Sequence, residues 1–170
     1  MAGNTEISFR KAGVEDIEGI RACAREAWFV AYPSIISIEQ IEGMLGLMYS
    51  AEQLRREISD TNNYTYLLAT IEGNVVGFCG LGPHSSDKTV ARLNKLYLKP
   101  DLKGSGLGSK ILRMALHLNR FKGFAETELN VNKRNPAVDF YLKHNFYRYQ
   151  EVVLNFHGWI MDDYLLRYRH

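Results

Sequence analysis

Apolar positions along the chain change their period twice. Ile7 to Lys11 alternates weakly, as a first strand would. From Val14 to Phe29 the apolar residues Ile17, Ile20, Ala24, Ala27 and Trp28 recur at helical spacing, and Tyr32-Pro33 ends the run. Ser37 with Gln40, and Ser50 with Gln53, are capping-box pairs that open a second and a third short helix. The period then falls toward two. Tyr64 to Ile71, Val75 to Leu81 and Thr89 to Leu98 read as a three-strand meander, with a turn at Glu72-Gly73-Asn74 and a loop from Gly82 to Asp87 that carries His84. Uneven alternation in the third strand allows a bulge, and Pro100 stops it. Helical spacing returns from Leu107 to Phe121 through Ile111, Leu112, Ala115, Leu116 and Leu118. Glu126 to Asn132 is another strand. Asn135-Pro136 opens a helix, with Asn as cap and Pro at the first helical position. Phe146 to Phe156 and Trp159 to Arg167 form a last hairpin around His157-Gly158.

That order predicts one mixed α/β domain over residues 1–170. The strand–helix–strand crossover through Leu107–Phe121 is expected to be parallel and right-handed. Composition narrows the class further. With 170 residues, 46% of them hydrophobic and 24% charged, the chain has the make-up of an ordinary globular domain. A formal net charge of +2, with no run of like charges, gives no basis for nucleic-acid or membrane binding. The polar start of the chain lacks an apolar signal region, and no apolar run reaches membrane-spanning length, so a cytoplasmic protein is expected. Cys23 and Cys79 lack metal-ligand spacing; they read as two free core thiols, and no metal is expected.

The chemistry concentrates in Lys103-Gly104-Ser105-Gly106-Leu107-Gly108-Ser109-Lys110, ahead of and into a helix. Alternate glycines permit unusual dihedrals and a close approach to a ligand. The helix start offers unpaired N–H groups and a positive dipole end, which favour an anion such as a pyrophosphate. A phosphate-binding loop of the nucleotidase type needs Gly-Lys-Ser/Thr at its end, and Ser109-Lys110-Ile111 does not supply it. A dinucleotide fingerprint competes, with Glu126 near the place of a ribose-binding acid. It follows its strand directly, however, whereas here Lys99 to Lys103 intervene.

The stretch Leu96-Tyr97-Leu98-Lys99-Pro100-Asp101-Leu102-Lys103-Gly104-Ser105-Gly106-Leu107-Gly108 resembles the acetyl-CoA loop of the GNAT superfamily of N-acetyltransferases. Gly106 and Gly108 match the family's Arg/Gln-x-x-Gly-x-Gly/Ala pattern, with Lys103 at the basic position, where it keeps the charge but not the planar fork. A second stretch, Asn135-Pro136-Ala137-Val138-Asp139-Phe140-Tyr141-Leu142-Lys143-His144-Asn145-Phe146, is similar to the family's Asn-x-x-Ala-x-x-Phe-Tyr motif, with Asn145 where Gly is usual. The resemblance spans Val75 to Phe146. It implies a GNAT-like α/β (α+β) fold: a mixed, mostly antiparallel central sheet flanked by helices, in the order β-α-α-(α)-β-β-β-α-β-α-β-β.

What the resemblance implies is an acetyl-CoA-dependent N-acetyltransferase, in which an amine attacks the thioester directly. Acetyl-CoA would lie along Leu96, Tyr97 and Leu98, over Lys103, Gly104, Ser105, Gly106, Leu107, Gly108 and Ser109, and against Asn135, Tyr141 and Lys143. A backbone N–H in the Leu96–Leu98 segment would polarise the carbonyl. Tyr141 falls at the family's general-acid position, and a phenol with an ordinary pKa of about 10 is protonated at neutral pH. On its helix pattern alone Tyr141 reads as a core aromatic; the motif is what implies the acid role. Asn94 falls near the family's general-base Glu and cannot take a proton, which leaves ordered water, a carboxylate such as Glu128, or an amine already deprotonated; the plainer reading of Glu128 is surface charge.

The Trp28-Phe29-Val30-Ala31-Tyr32 segment would wall the acceptor site, with Trp28 and Tyr32 as contact residues. Trp28 with Tyr32, Tyr49 to Leu54, and the Leu154–Tyr164 tail resemble the PaiA-type polyamine acetyltransferases within the superfamily. The expected acceptor is therefore a small-molecule amine such as spermidine or spermine. A peptide or protein amine, or a CoA-sensing module without turnover, are the alternatives. Glu39, Glu42, Asp87, Asp162 and Asp163 are the carboxylates available for a cationic substrate, each plainly readable as solvated surface charge. The last hairpin, with Phe156, Trp159, Ile160 and Leu165, offers a homodimer edge.

Overall fold

The computed structural model describes residues 6–83 and 86–170. The predicted His84 position and the first five residues lie outside them. Seven strands form one sheet: β1 (Ile7–Lys11), β2 (Thr65–Ile71), β3 (Asn74–Pro83), β4 (Val90–Leu98), β5 (Glu126–Asn132), β6 (Tyr147–Phe156) and β7 (Trp159–Arg169), in the spatial order β1-β2-β3-β4-β5-β7-β6. Every neighbouring pair is antiparallel except β4 with β5. The helices are α1 (Ile17–Ala31), α2 (Ile38–Met48), α3 (Ala51–Ser59), α4 (Leu107–Phe121) and α5 (Ala137–Lys143). The predicted element order holds, and the crossover through α4 is parallel. β3 runs on to Pro83, two residues into the expected loop.

Both serine caps are present. Ser37 Oγ accepts from the Gln40 amide, and Ser50 Oγ from the Gln53 amide, each at 3.1 Å. Asn135 Oδ1 accepts from the Ala137 amide at 2.9 Å, so it caps α5 although regular helix is counted from Ala137.

The central strands are buried on both faces, and two cores result. Leu107, Ile111, Leu112 and Ala115 of α4, with Val138 and Tyr141 of α5, pack on one face against Cys79, Leu93, Leu129 and Leu166. Ile20, Cys23, Ala24 and Trp28 of α1, with Ile41 and Met44 of α2, pack on the other against Leu68 and Phe78. Cys23 and Cys79 are both free and buried, one in each core.

The feature that positions the site is a fork. β4 and β5 pair at only three positions, Val90 with Glu126, Ala91 with Thr127 and Arg92 with Glu128. Past Arg92 the strands part. A bulge at the same level leaves Asn94 without a partner, because Leu81 pairs with Leu93 and Gly80 with Lys95. Side chains replace backbone at the crotch. Arg92 donates from Nη1 to Glu128 Oε1 at 2.8 Å and from Nη2 to Asn130 Oδ1. Arg167 of β7 donates from Nε to the other Glu128 oxygen at 2.8 Å. Glu128 is 1% exposed, so it is neither a surface charge nor a free base, contrary to both readings of the sequence.

Removing one member of a buried ion pair strands the others. Glu128→Gln is therefore expected to lower the unfolding free energy by about 3 kcal/mol, read from urea midpoints. A midpoint equal to wild type would show that the two arginines do not depend on Glu128.

Candidate active site

The opened fork exposes backbone. In the β3–β4 ladder Lys99 donates its amide to the Val76 carbonyl at 2.8 Å. In an antiparallel ladder such pairs recur at every second residue, so Tyr97 (opposite Phe78) and Lys95 (opposite Gly80) also turn their amides to β3. Leu96 and Leu98 therefore direct theirs the other way, toward β5, where no strand pairs with them beyond Arg92. Of the expected Leu96–Leu98 segment, Leu96 and Leu98 thus offer N–H groups to a ligand, whereas the Tyr97 amide is committed to the sheet.

The glycine loop lies beyond the end of β4. Gly104 and Gly106 have φ of +84° and +83°, a region that costs other residues energy. Gly106 is the N-cap of α4 and brings no side chain to cap it. The first α4-type bond is from the Lys110 amide to the Gly106 carbonyl at 3.1 Å. Among the described residues, the amides of Gly106, Gly108 and Ser109 have no recorded partner, while Leu107 N–H lies 3.3 Å from Ser105 Oγ. Gly108 does not use the dihedral freedom expected of it, since its φ is not positive, and a Cβ there would make only ordinary contact with Leu98 and Phe140 at 3.5–3.6 Å. Lys103 and Lys110 are exposed beside the loop. Ser109 Oγ is 2.9 Å from His144 Nε2, whose Nδ1 is 2.7 Å from the Phe140 carbonyl, tying α4 to α5. Free amides, a helix dipole and flanking cations suit the pyrophosphate of CoA. Lys143 is exposed at the end of α5.

Tyr141 projects from α5 into the first core, with its ring 5.2 Å from Phe140 and 5.5 Å from Phe146. It is core aromatic and cavity wall at once, since it also lines the chamber at the fork. Burial, with Tyr32 and Cys79 nearby, pushes its phenol above the ordinary value, so it remains protonated through neutral pH.

That chamber has a volume of about 720 Å³ and extends to the α1–α2 face. Trp28, Tyr32 and Tyr97 form one wall, with ring centroids 4.5 Å apart for Trp28–Tyr32 and 6.0 Å for Trp28–Tyr97. The Tyr32 and Tyr97 hydroxyls are 3.1 Å apart. The expected acceptor residues Trp28 and Tyr32 are therefore together and face the fork. Asn94 is exposed in the bulge and leans over Gly82.

Two contacts tie together segments that border the chamber. Trp159 of β7 packs so tightly on Gly43 of α2 that any side chain at Gly43 would overlap its ring. Arg134, after β5, donates to the Ser34 carbonyl at 2.9 Å and to that of Ile35. Trp159 and Phe156 thus pack, partly buried, on the α1–α2 core, while Ile160 of the same hairpin is exposed.

The expected carboxylates sort sharply. Glu42 is exposed and paired with Arg25, Asp162 is exposed and paired with Lys133, Glu39 is exposed, and Asp87 caps the turn before β4. Asp163 is 2% exposed and lines the chamber, a correction to its reading as surface charge.

The sequence reading missed Glu57. Its Oε2 accepts from Lys95 Nζ at 2.7 Å and from the Tyr66 hydroxyl, and its Oε1 accepts from Gln53 Nε2 at 2.6 Å. Burial alone would raise its carboxyl, but Lys95 and these bonds outweigh burial and hold it below the usual range. The signal was available: Glu57 stands three residues after Leu54, on the buried stripe of α3.

Comparison with known proteins places this geometry. Residues 62–148 match the model of the acetyltransferase (GNAT) domain. The spermidine N(1)-acetyltransferase of Thermoplasma acidophilum is 34% identical over 144 residues, covering 82% of this chain and 88% of that protein. The crystal structure of PaiA N-acetyltransferase from the same organism, in complex with coenzyme A, superposes with a TM-score of 0.81 at 28% identity, over 97% of this chain and 99% of that one. A GCN5-related N-acetyltransferase from Rhodopseudomonas palustris shares the fold, with a TM-score of 0.80 at 18% identity over 96% and 95% of the two chains. The chain belongs to the GNAT family of acetyltransferases: it is an N-acetyltransferase that uses acetyl-CoA as donor.

Because Gly106 caps α4 at positive φ with open space around it, Gly106→Ala adds strain without a clash. The variant is expected to lose about 1 kcal/mol of stability and to bind CoA more weakly. Titration of CoA against wild type and variant reads the second effect; equal affinities would show that the loop backbone does not grip the cofactor.

Proposed function

We propose that the acceptor is a small polyamine of the spermidine or spermine type. The observation that carries this reading is the 34% identity to a spermidine N(1)-acetyltransferase over most of both chains. The aromatic wall of the chamber supports it. A flexible aliphatic amine fits an aromatic-walled chamber, and its charges suit aromatic faces.

In this reading each group has one task. Acetyl-CoA, when bound, supplies an acetyl thioester to an attacking amine. The amides of Gly106, Gly108 and Ser109, with Lys103 and Lys110 nearby, hold the pyrophosphate; Gly104, Ser105 and Leu107 shape the loop. Asn135 and Lys143 border the same face. The Leu96 amide, turned into the fork, donates a hydrogen bond to the carbonyl oxygen as negative charge gathers there. Trp28 and Tyr32 hold the acceptor's methylene chain. The Tyr141 hydroxyl, which burial keeps protonated, gives its proton to the departing thiolate and recovers one, through water, from the newly acylated nitrogen.

Release of free CoA from acetyl-CoA, measured against spermidine, spermine and peptide amines, tests the acceptor. Spermidine and spermine are expected to be the better substrates. Acetylation of a peptide amine with no turnover of either polyamine would overturn the reading. Tyr141→Phe is expected to lower kcat about 100-fold while CoA affinity is nearly retained. An unchanged kcat would remove Tyr141 from the chemistry.

A further inference from the structure

Two carboxylates line the chamber, Glu57 and Asp163. Glu57 is fully engaged by Lys95, Tyr66 and Gln53. Asp163 is not. Its Oδ1 is buried with no hydrogen-bond partner, and its Oδ2 receives only a long bond of 3.4 Å from Asn130 Nδ2. The cations around it have other partners. Arg92 is held by Glu128 and Asn130, and Lys133 by Glu151 and Asp162 at 2.7 Å each. A buried carboxylate without a matched cation is costly to keep.

Its position gives the cost a purpose. Along β7, Tyr164 and Tyr168 pack with the α4–α5 core, while Trp159 and Met161 pack with the α1–α2 core. Asp163 has the parity of the second pair, so it lies on the acceptor face, opposite Asn132 in the sheet. β7 is two strands from β4, on the order of 10 Å at ordinary strand spacing and more across the fork. A nitrogen reacting beside Leu96 therefore leaves room for a second nitrogen near Asp163.

We propose that Asp163 is the docking point for the acceptor's second ammonium group, the one that is not acetylated. The inference rests on the polyamine reading and deepens it. Asp163 selects amines that carry a distant second cation and gives a simple alkylamine nothing to bind. Asn130 positions Asp163, and Arg92, bonded to the same Asn130, fixes that amide's orientation.

The test compares kcat/KM for spermidine with that for an n-alkylamine of matched length, in wild type, Asp163→Asn and Asp163→Ser. Wild type is expected to favour spermidine strongly. The spermidine-to-alkylamine ratio is expected to fall at least about 30-fold in Asp163→Asn, mainly through KM. The free variant is expected to melt at a higher temperature than wild type, because an unmatched buried charge is gone; a merely structural aspartate would lower it. An unchanged ratio in a folded variant overturns the inference. So does a wild type that turns over the alkylamine as well as spermidine, which decides the matter even if neither variant folds. Turnover of spermidine with an unchanged ratio removes only the role of Asp163, whereas failure to acetylate any polyamine removes the acceptor reading with it.

Discussion

The ion cluster at the crotch of the sheet is the constraint on which the rest depends. Two strands that begin as hydrogen-bonded neighbours must separate within a few residues, and each parting strand would leave polar backbone unmet. Arg92, Glu128 and Arg167 hold the strands together where the ladder stops. The Asn94 bulge redirects β4 at the same level. The two devices convert a defect in the sheet into a fork whose free amides are fixed in direction before any ligand arrives. Preorganised donors of this kind cost nothing to orient at the moment of reaction.

The sheet also divides the labour. Its α4–α5 face carries the glycine loop, the α5 cap and the Tyr141 ring. Its α1–α2 face carries the aromatic wall, Glu57 and Asp163. The fork is where the two faces communicate, and the amides of Leu96 and Leu98 are directed into it. Both cysteines are buried, one per core, and burial pushes each thiol up to about 12, which leaves them inert packing groups.

Local signals in the chain were legible because their physics is local. Serine caps, the Gly104–Gly106 turn and the Asn135-Pro136 start each depend on a few adjacent residues, and each was found where expected. The uneven alternation of β4 announced its bulge. What could not be read depends on pairings between distant segments. Whether Glu128 faces water or two arginines is decided by β4 and β7, 36 and 39 residues away. Asp162 and Asp163 look alike in sequence, yet strand parity sends one to solvent and the other into the chamber. Trp159 reads as a sticky edge until the register of the last hairpin carries it onto Gly43.

That last contact separates two kinds of change. The hairpin tip and α2 both line the chamber, and their meeting at Gly43 fixes how they approach each other. The chamber is therefore adjustable at a position on α2, away from β4 and α5. A side chain at Gly43 would lift the hairpin and widen the space while leaving the Leu96 amide and Tyr141 where they are. A lineage carrying this fold has a route to bulkier amines that leaves the chemistry itself unaltered.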